Sequence, residues 1–113
     1  MIKTWLGKQF ESSCEITPEF VTFAKCLKAY IKRNLPEGAE LVKCNRGHFY
    51  LYGFIKNGDK FAYFSTSDVR HFQDSWYNNM LIRTAQGEKD FTGGVNRYTS
   101  LDNFTQAIES LIA

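Results

Sequence analysis

Apolar and polar positions follow two different periods along this chain, and the changes of period divide it into elements. From Thr17 to Arg33 the apolar positions have the spacing of one helix face. These positions are Phe20, Phe23, Ala24, Leu27 and Ile31. Thr17 is suited to be the N-cap of this helix and Pro18 its first residue, and Pro36 ends the helix. A basic set on the other side, Lys25, Lys28, Lys32 and Arg33, is expected to be solvated or to meet an acidic partner or a phosphate backbone.

A second amphipathic helix is predicted near the end of the chain. Ser100 is placed to act as its N-cap, and Asp102 in the first turn complements the helix dipole. The apolar stripe of this helix comprises Leu101, Phe104, Ala107, Ile108 and Leu111.

Between the helices the pattern changes to the alternation typical of strands. The runs His48–Lys56 and Lys60–Ser65 flank Asn57-Gly58-Asp59, and a short glycine-containing loop between two such runs predicts a β-hairpin. Further strands are predicted at Glu40–Asn45, Met80–Ala85 and Val95–Thr99. Ser67–Asn79 has no clean period beyond a single helical turn, and Gln86–Gly94 is a polar loop with two glycines at its end.

The order of helix, strands and helix predicts an α+β fold. We expect an antiparallel sheet of four to five strands with an N-terminal-half helix and a C-terminal helix. At 113 residues the chain, 1–113, is expected to form one domain. The predicted core, in which both helix stripes pack on one sheet face, comprises Phe20, Ala24, Leu27, Ile31, Phe49, Leu51, Leu81, Phe104, Ile108 and Leu111.

The second strand is apolar on both faces. Because side chains alternate along a strand, Phe49, Leu51 and Ile55 share one face, and Tyr50, Tyr52 and Phe54 share the other. Phe, Tyr and Trp make up 16% of the chain, more than one small core takes up, so some are expected at an interface. The predicted partner-binding surface comprises Tyr50, Tyr52, Phe54, Tyr63, Arg70, Arg83 and Arg97.

Two kinds of partner fit such a surface besides another protein. In proteins that bind single strands, aromatic side chains on a sheet stack against bases. In this chain Phe64 would join the surface aromatics in that role, and Arg46, His48 and His71 would add positive charge. The RNP1-type pattern is absent, however, and a net charge of +2 does not by itself indicate nucleic acid. An aromatic face is also typical of a dimer seam, so a homodimer stays open.

The sequence contains no catalytic or metal-binding signature, and we predict neither an enzyme nor a cofactor. The two histidines, His48 and His71, have no local partner motif. The three cysteines, Cys14, Cys26 and Cys44, lack the close pairs of a zinc site and are expected to be free thiols. Gly93-Gly94 lacks the context of a phosphate loop, and the carboxylates of Glu88 and Asp90 are expected to be solvated.

Compartment is predicted from what the chain lacks. No run of about 18 apolar residues is present, so no transmembrane helix is expected. The first residues, MIKTWLGKQFESS, lack the apolar stretch of a secretory signal. Together with cysteines predicted to be reduced, these features favour the cytoplasm.

From Asp68 onward the sequence carries three recognisable stretches, DVRHFQDSWYNNMLIRTA, EKDFTGG and NRYTSLDNF. This part, about two fifths of the chain, resembles short accessory proteins encoded by bacterial phages, plasmids and integrative elements. Proteins of this kind include anti-CRISPR inhibitors. The resemblance implies a non-catalytic inhibitor that acts by protein–protein contact on a host defence factor, such as a CRISPR effector nuclease. It identifies no target and assigns no residue a role.

Overall fold

A computed structural model describes residues 18–47, 50–66 and 76–113. Within these residues the helices are α1 (Pro18–Arg33) and α2 (Phe104–Ile112), and a 3₁₀ turn spans Trp76–Asn78. The strands are β1 (Glu40–Arg46), β2 (Leu51–Asn57), β3 (Lys60–Ser65), β4 (Met80–Ala85) and β5 (Arg97–Thr99). The predicted α+β class is confirmed, with an N-terminal-half helix and a C-terminal helix around the sheet.

The sheet is a meander of five antiparallel strands in the order β1-β2-β3-β4-β5. The predicted hairpin joins β2 to β3, with Asn57 paired to Lys60 across the turn. Gly58 occupies the left-handed region with φ 64°, which a residue without a Cβ adopts at little cost. The alternation and the turn residues were therefore sufficient to predict these two strands.

Both described helices pack on the same face of the sheet. Helix α1 lies against β1, and α2 lies against β3 and β4. The rings of Phe64 and Phe104 meet edge to face with centroids 5.6 Å apart. The core cluster consists of Phe23, Ala24, Leu27, Ile31, Leu51, Ile55, Ala62, Phe64, Met80, Ile82, Leu101, Phe104, Ile108 and Ile112. The face bearing Leu51 and Ile55 is thus the helix-covered face, as predicted.

One predicted core position is wrong, and another lies at the margin of the core. Leu81 is half-buried and lies on the other sheet face, because β4 pairs Leu81 with Ser65 and Ile82 with Phe64. Leu111 is half-buried and packs at the margin of the core, where Ile112 takes the central position.

The start of the last helix also differs from the prediction. Asn103 precedes α2, while Ser100 belongs to the turn before it and accepts a hydrogen bond from the Asn103 N–H (3.2 Å). Ser100 therefore orders the approach to the helix and is not its N-cap.

Several predicted features lie outside the described residues. They are the N-cap Thr17, the side chains of Phe20 and Phe49, the helical turn within Ser67–Asn79 as far as residue 75, and the residues Cys14, His48, Arg70 and His71. Of the helices that are described, none is long and apolar enough to cross a membrane.

Candidate functional site

The sheet face opposite the helices carries a continuous group of aromatic rings. Cross-strand partners share a face, and β2 pairs Phe54 with Tyr63, whose ring centroids lie 5.2 Å apart. Tyr52 precedes them on the same face, and its ring lies 5.8 Å from that of Tyr50. Because α1 and α2 pack on the opposite face, this group must be covered by other parts of the chain or by solvent.

Phe91, from the loop between β4 and β5 (residues 86–96), lies across this group. Its ring meets Tyr52, Phe54 and Tyr63 edge to face, at centroid distances of 6.0, 5.3 and 6.1 Å. Phe54 is fully buried beneath it, whereas Phe91 itself remains 49% exposed. We call these five residues the aromatic surface: Tyr50, Tyr52, Phe54, Tyr63 and Phe91. The ammonium group of Lys43, on the neighbouring strand β1, lies 5.5 Å from the centre of the Phe91 ring.

Asp90 folds the β4–β5 loop into the shape that presents Phe91. One carboxylate oxygen accepts the backbone N–H of Gln86 (3.0 Å), and the other accepts those of Gly93 (2.8 Å) and Thr92 (3.2 Å). These backbone hydrogen bonds lower the pKa of the Asp90 carboxyl, since they favour its charged form. Gly93 is required here because a Cβ at this position would overlap the Asp90 carboxylate.

Arg83 fastens the same loop to the sheet. Its side chain is only 3% exposed, and its guanidinium carbon lies 4.4 Å from the centre of the Tyr63 ring. The guanidinium donates hydrogen bonds to the backbone carbonyls of Asp90 (2.6 Å) and Thr84 (3.2 Å). A buried charge needs such partners, and here they connect β3, β4 and the loop.

The hydroxyl group of Tyr63 is neutral at physiological pH. Burial raises the pKa of Tyr63, and a hydrogen bond with the Ser65 side chain opposes this rise. The surface therefore combines apolar rings with the neutral hydroxyl group of Tyr63 at physiological pH.

The structure places the predicted site residues that it describes in different surroundings. Tyr50, Tyr52 and Tyr63 lie together, half-buried, on the predicted face. Phe54 and Arg83 are buried, so their prediction as outward contacts is wrong: the β4–β5 loop covers both.

Arg97 is exposed but does not border the aromatic surface, because β5 pairs it with Ile82 of the helix-covered face. Arg70 lies outside the described residues. Phe91 and Lys43 were not among the predicted site residues. A single aromatic residue in the otherwise polar run QGEKDFTGG was the available signal for Phe91.

Two cysteines lie in the part of the chain that is described. Cys26 is exposed and Cys44 half-buried, and both are free thiols. Burial raises the pKa of Cys44 to about 11, against the opposing effect of Lys28, so this thiol is neutral at pH 7. Within residues 18–47, 50–66 and 76–113, no three His, Cys, Asp or Glu side chains are grouped as metal ligands would be.

Comparisons with protein-family models, with curated proteins and with solved structures find no match to this chain. The resemblance to accessory proteins of mobile elements therefore stays a prediction.

Proposed function

We propose that this chain is a non-catalytic binding protein that contacts a partner protein through the aromatic surface. The observation that supports the proposal is the position of Phe91. Its ring is half exposed, rests on three other rings, and is carried by a loop that Arg83 and Asp90 hold in place.

The physical properties of this arrangement are those of an interface anchor. Large aromatic side chains dominate the binding energy of many interfaces, and a ring that is already ordered loses little conformational entropy on binding. Tyr98, which is 62% exposed, extends the apolar area, because β5 pairs it with Leu81 of the same face. Val95, 77% exposed, lies in the loop that leads into β5.

The proposed role is inhibition of a host defence factor on behalf of a mobile element. The stretch EKDFTGG, one of the three that carry the resemblance to accessory proteins, is the segment that contains Asp90, Phe91 and Gly93. The feature most suited to binding and the residues that carry the resemblance thus coincide. The partner we propose to test first is a CRISPR effector nuclease, with binding in the cytoplasm of the host.

Two contacts argue against the nucleic-acid alternative. The guanidinium of Arg83 occupies one face of the Tyr63 ring, and Phe91 covers Phe54. Base stacking needs open ring faces, so fewer of these aromatics are available to bases than the sequence suggested.

A pull-down with a matched pair of variants tests the proposal. Phe91→Ala removes the ring, whereas Phe91→Tyr keeps it, and neither changes the charge. Wild-type protein and both variants are used as bait in lysate from a CRISPR-bearing host, with and without nuclease treatment. Each protein is then added to purified effector nucleases, and their DNA cleavage is measured.

We expect wild type and Phe91→Tyr to retain a nuclease-resistant protein partner and Phe91→Ala to lose it, with all three giving cooperative thermal melts. Recovery that nuclease abolishes would support the nucleic-acid alternative instead. Self-association in sedimentation, lost only in Phe91→Ala, would identify a second copy of the chain as the occupant.

A further inference from the structure

A groove of about 480 Å³ opens between α1 and the end of β1, away from the aromatic surface. It is lined by Val21, Ala24, Lys25, Lys28, Cys44, Asn45, Arg46 and Leu51. Register places Cys44 opposite Gly53 and Arg46 opposite Leu51, on the helix-covered face of the sheet. The groove and the aromatic surface therefore belong to opposite faces.

Positive charge is concentrated along this groove. Lys25 and Lys28 are three residues apart on α1, a spacing that puts them on the same side of the helix, and Arg46 faces them from β1. All three are exposed, and among the described residues that line the groove there is no Asp or Glu. The charge of Lys28 also lowers the pKa of Cys44 against the larger effect of burial, and both residues line the groove.

Apart from the amide of Asn45, the other lining residues among those the structure describes are apolar. Val21, Ala24 and Leu51 contribute hydrocarbon, and the neutral thiol of Cys44 behaves as a small apolar group. Leu51 and Ala24 belong to the hydrophobic core, so the groove reaches down to the core at this end of the sheet. An occupant that suits both parts must present carboxylates to the cations and an apolar side chain to the wall.

We propose that this groove binds an acidic segment of a partner protein, with an apolar side chain of that segment inserted between α1 and β1. Charge complementarity selects the acidic residues, and the apolar wall favours a peptide over a phosphate backbone, which has no apolar group to insert. Because all three cations line the same groove, one occupant can contact them together. This site is independent of the proposed function of the aromatic surface.

Fluorescence polarisation with the full chain tests the proposal. The probe is a fluorescein-labelled peptide of alternating Glu and Leu, and the comparison peptide replaces every Glu with Gln. The variant Lys28→Gln with Arg46→Gln removes two groove cations. Lys32→Gln with Arg33→Gln makes the same change of charge at exposed positions of α1 that do not line the groove. Thermal melts check that both double variants fold.

We expect saturable binding of the acidic peptide. The groove variant should weaken this binding roughly tenfold, because each exposed ion pair contributes only a little and two are removed. The control variant should weaken it less than about twofold. Binding should weaken as salt rises and should be unchanged in Phe91→Ala. Equal affinity of the two double variants, equal affinity for the Gln peptide, or absence of saturable binding would each overturn the proposal. Tighter binding of a dT oligonucleotide that the groove variant abolishes would overturn it in favour of a phosphate-backbone site.

Discussion

Arg83 shows at the scale of one residue how a cation is accommodated inside this small protein. Its charge lies against the Tyr63 ring and is shared between two carbonyl oxygens, and no carboxylate oxygen is among its hydrogen-bond acceptors in the described residues. At an outward position of a strand, the default expectation for arginine is exposure, which is why the sequence suggested a contact residue. Burial here depends on a loop whose path is set by Asp90, and no local pattern around Arg83 encodes that path.

Replacing Arg83 should therefore affect stability. Arg83→Met keeps much of the side-chain volume but leaves two carbonyls without their donor, so we expect a loss of about 1.5–3 kcal/mol in the free energy of unfolding. Arg97→Met, at an exposed position of the same sheet, should change it by less than about 0.5 kcal/mol. Urea melts of both variants measure the difference, and equal losses would show that the contacts of Arg83 do not stabilise the fold.

Asp90 makes the loop sensitive to acid. Its folded pKa lies below the ordinary value of 3.8, so the stabilisation it provides is complete above that value and is lost as pH falls through the lower folded pKa. We expect the amide resonances of Gln86, Gly93 and Thr92 to stay constant from pH 7 to about pH 4 and to shift below it.

The variant Asp90→Asn should abolish that acid transition and loosen the loop at every pH. A transition that persists in this variant would assign the acid response to another carboxylate.

At the scale of elements, prediction succeeded where the chemistry is local. Strands β3 and β4 have the predicted bounds, and the hairpin forms as predicted, because turn glycine and alternation act over a few neighbours. Strand β2 runs from Leu51 to Asn57, whereas the predicted run was His48–Lys56. The prediction placed Leu81 of β4 on the helix-covered face, which is wrong. The run MLI is apolar at three successive residues, so only its pairing with β3 decides that Met80 and Ile82 point to the helices and Leu81 points away.

The two helices are held to the sheet by a core that the stripes predicted largely correctly. Leu27 and Phe104 are at most 2% exposed, so Leu27→Ala and Phe104→Ala should each reduce the free energy of unfolding by about 2–5 kcal/mol through cavity formation. Leu111→Ala, at the half-buried margin, should lose clearly less. Urea melts that rank Leu111→Ala with or above the other two would contradict the observed helix facing.

At the scale of the whole molecule, the sheet has two apolar faces with different covers. The helices cover one face, and the β4–β5 loop covers part of the other with a single ring. For β2 the sequence predicted which residues share each face, because that follows from alternation within one strand. It did not predict that Phe91 would close over Phe54, because this contact joins residues far apart in the chain and depends on the Arg83 and Asp90 hydrogen bonds.

Site-specific photocrosslinking tests most directly whether the aromatic surface is where a partner protein binds. The photoreactive residue p-benzoylphenylalanine is placed at Phe91, where it retains a ring, and in a separate variant at Gln106, an exposed position of α2. After irradiation in a CRISPR-bearing host, we expect a crosslinked protein partner from position 91 and none from position 106. A protein crosslink from position 106 with none from position 91 would contradict this expectation.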